Sequence, residues 1–392
     1  NILEGSGSTE ITVRAGETTD CNIAMILEGQ TAYYSKYMIL TDYPNTKYIY
    51  DYPSCNKSSK SVSFGTSYNT VEDNNGQIYH IKDSYLYKDD EQVLSVTTSN
   101  LIKNPLYYDN TTNTYWIGLE NVRNFYLQNS VNSYDTSITR HILASKGESF
   151  LNFAIQENKA YLVYIEKDDP VANIIYYTKD ENVKLTRQNG IQLSTIGVSG
   201  KVTDMAVLED GTVAVLVNEK SLNTANQFTL NDGCTVNSRG ALVLLSSDLS
   251  TYKVYGWTDS PRTISAKLNS GSDDPYNGAP GNSQIASITA YIPEYAERNS
   301  HFYGPMRIVA IRPKELVIAD CGANFVLPDY NEKKNGKMFT HNRLMTVNLR
   351  NFAIDCKKEF SEDELKFQNL TISGNLEYVT AGWTKLSAEN EK

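Results

Sequence analysis

Apolar and polar residues alternate along many short segments of this chain, a pattern that predicts β-strands rather than helices. The clearest example runs from Gly304 to Gly322. There, Ile308 to Ile311 has the composition of a strand, Pro313 and Lys314 form a turn signal, and Leu316 to Ala319 has the composition of a second strand. The segment leaves through Ala-Asp-x-Gly and predicts a β-hairpin.

Weaker versions of this two-strand unit recur along the chain. The second strand of each unit is marked by one apolar or Tyr residue, namely Ile39, Ile78, Tyr115, Tyr161, Val213 and Leu316. Intervals of 37 to 52 residues separate the first five of these positions, and 103 residues separate the last two. A β-unit repeated every ~40 to 50 residues is typical of a β-propeller. We therefore predict an all-β, six-bladed β-propeller, with seven blades as the alternative if the long interval contains one more.

Tight turns and a closing strand complete this prediction. Asn75-Gly76 and Asp210-Gly211 are expected to form hairpin turns, because such turns require a positive φ. Leu376 to Thr384 is expected to close the ring by joining the blade that begins at Tyr37.

The first 30 residues differ from the remainder. Ser8 to Met25 alternates around an Ala-Gly-Glu-Thr-Thr turn, which predicts a hairpin. The segment resembles the closing strands of bacterial Ig-like or carboxypeptidase-regulatory-like sandwiches. That resemblance implies that residues 1–30 end an upstream β-sandwich; the alternative is a lead-in to the first blade. Residues 31–392 form the predicted propeller, with an insertion at about 258–303.

The segment from Gly304 to Gly322 resembles an NHL-type repeat, whose pattern is Pro-x-Gly-Ile-Ala-Val, a turn, then apolar-Tyr-Val-Ala-Asp-x-Gly-Asn. The matching positions are Pro305, Val309, Ala310, Leu316, Val317, Ala319, Asp320 and Gly322. Val202 to Val217 matches the first half of the pattern. The resemblance implies a bacterial β-propeller. Propellers of this kind mostly bind proteins, glycans or RNA, and a minority are lactonases, lyases or other enzymes.

Charge and composition exclude some functions. The chain has 36 Lys and Arg against 46 Asp and Glu, a net charge of −10, which argues against nucleic-acid binding. Apolar runs such as Ala241 to Leu245 are too short for a transmembrane span. Abundant Asn, Tyr, Ser and Thr with few Arg predicts an extracytoplasmic protein of the cell envelope, the periplasm or the secreted fraction. The chain begins at Asn1 without Met, so a lipid anchor upstream is one expectation.

Catalytic signals are sparse. The four histidines form no HxH or HxxxH pair, Gly197 to Gly200 falls short of GxSxG, and the acidic clusters lack calcium-loop spacing. From these patterns we predict no catalytic residue, metal ligand or cofactor. Propellers assemble sites from distant blades, so an enzyme with a lactonase-, lyase- or hydrolase-like site at the central channel stays the alternative.

The insertion is the best functional candidate, because compact domains seldom keep long loops without a role. Aromatic and Arg residues favour interfaces, and the predicted binding residues are Tyr276, Tyr291, Tyr295, Arg298, His301 and Tyr303. The alternative is a surface loop without a binding role or a degenerate seventh blade. We thus expect a non-enzymatic propeller that binds a protein or glycan partner through loops at one face.

Overall fold

The structure of the protein is a computed structural model. It describes residues 5–6, 26–27, 35–42, 45–120, 124–128, 138–139, 149–166, 169–179, 185–198, 200–219, 239–256, 261–268, 284–291, 299–312, 314–326, 337–361, 363–365 and 376–377.

The strands of the first half form small sheets of neighbours in sequence. One pair consists of β1 (Gly5–Ser6) and β2 (Ile26–Leu27), and a second pair of β3 (Tyr37–Asp42) and β4 (Thr46–Asp51). A four-stranded sheet contains β5 (Val71–Glu72), β6 (Ile78–Lys82), β7 (Tyr85–Lys88) and β8 (Glu91–Ser95). The next contains β9 (Leu101–Asp109), β10 (Thr114–Glu120), β11 (Asn124–Gln128) and β12 (Ile138–Thr139).

The second half continues in the same way. Its first two sheets contain β13 (Ser149–Gln156), β14 (Lys159–Glu166), β15 (Asp169–Lys179) and β16 (Leu185–Gln192), then β17 (Lys201–Val207), β18 (Val213–Glu219), β19 (Arg239–Leu245) and β20 (Tyr252–Tyr255). The remaining strands are β21 (Pro261–Leu268), β22 (Gln284–Tyr291), β23 (Pro305–Arg312), β24 (Glu315–Val326), β25 (Lys337–Asn348), β26 (Ile354–Glu359) and β27 (Leu376–Glu377).

Every strand pairing among these elements is antiparallel. The helices of the described residues are short 3-10 turns such as Thr98–Asn100 and Leu193–Ile196. The prediction of an all-β fold is therefore confirmed. Among the residues that the structure describes, none belongs to a helix with the length and apolarity that a bilayer crossing requires.

Six of the sheets contact one another through their first strands. β9 contacts β5 and β13, β17 contacts β13 and β23, and β23 contacts β3. The backbone N–H of Tyr37, at the start of β3, donates to the carboxylate of Glu72 at the end of β5. The contacts thus pass through all six sheets and return to the first.

Alternation explains why these sheets pack face to face. Along β18, Val213, Val215 and Val217 pack with the sheet that begins at β13, while Ala214 and Leu216 pack with the sheet that begins at β23. Side chains of a strand point alternately to its two faces. Both faces of β18 are buried because a neighbouring sheet covers each of them.

The predicted hairpin turns are confirmed. Gly76 has φ +78° and its N–H donates to the carbonyl oxygen of Asp73, and Gly211 has φ +83° and donates to that of Leu208. A side chain at either glycine would be strained at such a φ, which explains the residue type. The hairpin predicted from Ile308 to Ala319 is confirmed as well, as β23 and β24.

The insertion contains a sheet that the sequence analysis missed. β21 and β22 pair along their full lengths, from Pro261 with Tyr291 to Leu268 with Gln284. By its sequence, Gln284 to Ile292 is strand- or helix-like, and the residues of β21 were not predicted as a strand. The contacts of β17 and β18 with β23 run directly from sheet to sheet, so this hairpin adds no strand between them.

Residues 378–384 of the predicted closing strand lie outside the described residues, so that its joining of the sheet of β3 stays a prediction there. Of the segment Leu376 to Thr384, the structure describes β27, and β27 pairs with β21 rather than with the sheet of β3. The strand pattern of the sequence alone does not decide between pairing with β21 and pairing with the sheet of β3.

Candidate functional site

A cavity of about 470 Å³, here called the central cavity, lies among the first strands of the six contacting sheets. Each of these strands contributes to its wall, through Ile39, Val71, Leu106, Asn152, Asp204 and Ile308. Its volume falls within the range of ~300 to 1,000 Å³ found for small-molecule sites. The central cavity is therefore the first candidate for a functional site.

Asp204 of β17 links three sheets at the wall of this cavity. Its Oδ2 accepts a hydrogen bond from the backbone N–H of Ile308 at 2.8 Å, and its Oδ1 accepts one from Nδ2 of Asn152 at 3.3 Å. Nη1 of Arg307 lies 3.5 Å from Oδ1. One carboxylate thus fixes the positions of β13, β17 and β23.

Arg307 extends this network to a fourth sheet. Its Nη2 donates to Oδ1 of Asn104 at 2.6 Å, while Nδ2 of Asn104 donates to the carbonyl oxygen of Thr203 at 3.4 Å. The Arg307 side chain keeps 34% of its surface exposed, against 14% for Asp204. The Arg307 side chain is held in position by these contacts and stays partly exposed.

Lys47 of β4 is a second cation at the cavity wall. Its Nζ donates to the carbonyl oxygens of Gly65 at 2.6 Å and Tyr68 at 2.5 Å. Burial, and then the positive charge of Arg307, lower the pKa of Lys47 to about 8. A lysine with such a pKa can act both as a cation and as a base near neutral pH.

Glu72 is the second carboxylate at the wall and is 8% exposed. Burial raises the pKa of Glu72 to about 7, although the backbone N–H groups of Lys36 and Tyr37 donate to it at 2.9 and 3.3 Å. Its charge therefore changes near neutral pH. Burial also raises the pKa of Tyr107, whose hydroxyl oxygen accepts from the N–H of Val207 at 3.1 Å.

A second concavity, here called the turn depression, has a volume of about 840 Å³. It is lined by turns of successive hairpins, at Asn74, Asn110–Asn113, Gln156–Glu157, Glu209–Thr212, Ser246–Thr251 and Leu349–Phe352. Hydrogen bonds join neighbouring turns. Asn74 donates to the carbonyl oxygen of Asn110 at 3.0 Å, and the N–H of Glu157 donates to Asp109 at 3.0 Å.

Aromatic side chains occupy one side of the turn depression. The rings of Tyr255 and Phe352 stack with centroids 4.7 Å apart, and Nζ of Lys253 lies 5.3 Å from the Phe352 centroid. Tyr252 lines the depression and is 48% exposed. The depression thus combines hydrogen-bonding groups with an accessible ring.

The six predicted binding residues are placed as follows. Tyr276, Tyr295 and Arg298 lie outside the described residues, and Tyr291 is described by its backbone alone, paired with Pro261. His301 and Tyr303 are brought together with the buried ion pair of the next two strands. Their binding role stays a prediction.

That ion pair joins Asp320 of β24 to Arg343 of β25. Nη2 of Arg343 lies 2.9 Å from Oδ2 of Asp320, and both side chains are 0% exposed. Arg343 also donates to the carbonyl oxygen of His301 at 2.5 Å and lies over the Tyr303 ring, 5.0 Å from its centroid. Asp320 accepts from the N–H of Gly304 at 2.8 Å. The Asp of the Ala-Asp-x-Gly exit therefore anchors the chain where it enters β23, and Tyr303 is fully buried there.

The charged residues of the central cavity were not predicted from the sequence. Asp204 and Arg307 each stand directly before an apolar run of a first strand, and a charged residue at such a position is a local signal for a side chain that faces a polar interior. Lys47 and Glu72 carry no such local signal. In the described part of the chain, no three His, Cys, Asp or Glu side chains come together as a candidate metal site.

No protein-family model matches this sequence. No curated relative matches it either. Among solved structures, the chain is similar to the N-terminal domain of Nup159, with 8% sequence identity and a TM-score of 0.33. The similarity covers 83% of this chain and 88% of that one. At this TM-score the likeness carries no argument about fold or function.

Proposed function

We propose that the six contacting sheets are the blades of a β-propeller and that the protein is a non-enzymatic binding module for a protein or glycan partner. The circuit of contacts from β3 through β5, β9, β13, β17 and β23 supports six blades, because each first strand has first strands as neighbours on both sides. The hairpin of β21 and β22 is then the insertion. The NHL-like character of the repeats belongs to this proposal.

The observation that carries the binding function is the turn depression. Its turns come from different sheets and are joined by hydrogen bonds, so the surface is organised before any partner binds. Preorganised polar loops on a rigid framework are common recognition sites. Tyr252 adds the accessible ring that sugars and protein side chains both use as a contact.

We place this module outside the cytoplasm, in the cell envelope, in the periplasm or among secreted proteins. The support is compositional: 28 Tyr among 392 residues, together with abundant Asn, Ser and Thr. Immunoblotting of fractionated cells of the source organism tests the assignment. Recovery of the protein in the cytoplasmic fraction would contradict it.

The binding proposal is tested by presenting the purified protein to a glycan array and to an array of envelope proteins. Tyr252→Ser should weaken the strongest interaction about tenfold, since a contact ring at an interface commonly contributes more than ~1 kcal/mol. Val93→Ser is the matched control, because Val93 is also an exposed hydrophobic residue, at 41%, and lies on β8 away from the depression. Absence of a ligand on both arrays, or equal effects of the two substitutions, would refute the proposal.

A propeller enzyme with its site in the central cavity is the second candidate. It is favoured by the pKa of Lys47, lowered to about 8, and that of Glu72, raised to about 7, since groups that titrate near neutrality suit proton transfer. Screening of ester and lactone hydrolysis with the native protein and Lys47→Met tests it. Turnover that the substitution does not reduce would place any activity elsewhere.

A further inference from the structure

The charges at the wall of the central cavity are unequal. Lys47, Lys103 and Arg307 line it, against Glu72 and Asp204. The whole chain has a net charge of −10, so this local excess of cations runs against the composition of the protein. A cation-rich interior in an acidic protein favours the entry of an anion.

The two carboxylates are already engaged with the protein itself. Asp204 accepts from the backbone N–H groups of Ile308 and Met205 at 2.8 and 3.0 Å. Glu72 accepts from the N–H groups of Lys36 and Tyr37. Burial also raises the pKa of Glu72 to about 7, so that part of its population is neutral at neutral pH.

Lys47 and Arg307 still have N–H donors with which to bind a ligand. Lys47 gives two of its three N–H donors to the carbonyl oxygens of Gly65 and Tyr68, and Arg307 directs Nη2 to Asn104. The 3.5 Å separation of Arg307 from Asp204 is longer than a strong charge-assisted hydrogen bond, which measures ~2.7 to 2.9 Å. The charge of Arg307 helps to lower the pKa of Lys47, so these like charges interact.

An anion between two such cations would reduce their repulsion and use the planar donor group of Arg307, which fits a carboxylate through two hydrogen bonds. The wall also contains apolar and aromatic side chains beside its polar ones, and Ile39, Leu106 and Tyr107 are among them. Such a wall suits the carbon skeleton of a small organic molecule. A bare inorganic ion would leave this apolar surface uncovered.

We propose that the central cavity binds a small organic acid, with its carboxylate between Lys47 and Arg307 and its carbon skeleton against the apolar wall. The site goes beyond the proposed binding of a macromolecule at the turn depression. It is a different surface with a different class of ligand.

Isothermal titration calorimetry of the full chain with benzoate, hexanoate and adipate tests the proposal, with the amide of each acid as a neutral match. At least one acid should bind at millimolar concentration or below, and at least tenfold more tightly than its amide. Lys47→Met and Arg307→Lys should each weaken that binding about tenfold. Lys82→Met is the control, because Lys82 donates to Ser63 and does not line the cavity.

A measurement on the native protein guards against variants that fold poorly. Reductive methylation followed by mass spectrometry reports on Lys47 directly, and the bound acid should slow modification of Lys47 about tenfold while Lys82 is unaffected. No binding by any of the three acids, equal binding of their amides, preference for inorganic phosphate, or unprotected Lys47 would each overturn the proposal. Tyr252→Ser should leave the binding of the acid unchanged. The test of acid binding in the central cavity is therefore independent of the test of partner binding at the turn depression.

Discussion

Two Arg–Asp pairs of this protein contain the same groups and differ in their surroundings. Arg343 and Asp320 are 2.9 Å apart and 0% exposed, whereas Arg307 and Asp204 are 3.5 Å apart and the Arg307 side chain is 34% exposed. Arg307 lies on β23, and Asp320 lies on β24, the strand that pairs with it. Neighbouring strands thus contribute to one closed pair and one open pair.

The two pairs differ in the groups that surround each guanidinium. Arg343 is surrounded by Asp320, the carbonyl oxygen of His301 and the Tyr303 ring, so its donors are directed to the protein. Arg307 faces a cavity of about 470 Å³. A closed ion pair serves to fix the chain, while an open one has capacity for a ligand, and residue type alone does not distinguish them.

The closed pair gives the largest expected effect. Asp320→Ala should lower the free energy of unfolding by about 3 to 5 kcal/mol, because it leaves the Arg343 charge buried without its counter-ion. Chemical denaturation followed by tryptophan fluorescence measures the loss. Asp363→Asn, at an exposed position, is the control and should change stability by less than ~0.5 kcal/mol. If Asp320→Ala cost no more than this control, the pair would not anchor β23.

Glu72 tests an intermediate case, a buried carboxylate that accepts backbone N–H groups. Its pKa is about 7 in the folded protein against the ordinary 4.5 of a glutamate, so the folded state holds its proton more tightly. Its contribution to stability is therefore complete below about pH 4.5 and is lost as the pH rises through 7. Relative to Glu72→Gln, the native protein should lose on the order of 2 kcal/mol between pH 4.5 and 8.

Unfolding by urea across this pH range measures that difference, with exposed Glu91→Gln as the baseline. A difference between native protein and Glu72→Gln that stayed constant with pH would show that Glu72 does not titrate in this window. Glu72 would then resemble the closed pair of Arg343 and Asp320, with a charge state that does not change in this pH range.

The strands and turns that depend on residues close together in the chain could be predicted from the sequence. The alternation of Val213, Val215 and Val217 and the positive φ at Gly76 and Gly211 are local properties, and the structure contains the expected strands and turns. The strand β21, which was not predicted, does show alternation at Ile264, Ala266 and Leu268, but it begins with a proline and precedes a Gly- and Ser-rich stretch that suggested a loop.

The central cavity could not be predicted in the same way. Asn104 and Arg307 meet although 203 residues separate them, and Asn152 and Asp204 are 52 apart. Such pairs depend on which sheets are neighbours, and no spacing in the sequence encodes that. A charged residue in an apolar first strand predicts only that a polar interior exists, not its partners.

The smallest expected effect tests the open pair directly. Asp204→Asn keeps a side-chain oxygen able to accept from Ile308 and removes the negative charge beside Arg307. The free energy of unfolding should fall by about 1 to 2 kcal/mol, because the pair with partly exposed Arg307 contributes at most ~1 kcal/mol and the Asn152 amide and Met205 N–H lose the oxygen that accepts from them. Binding of the organic acid should strengthen about threefold, because the bound carboxylate no longer competes with Asp204 for Arg307. Calorimetry with the same acid compares the native protein with Asp204→Asn. Weaker binding by the variant would mean that Asp204 positions Arg307 rather than competing for it.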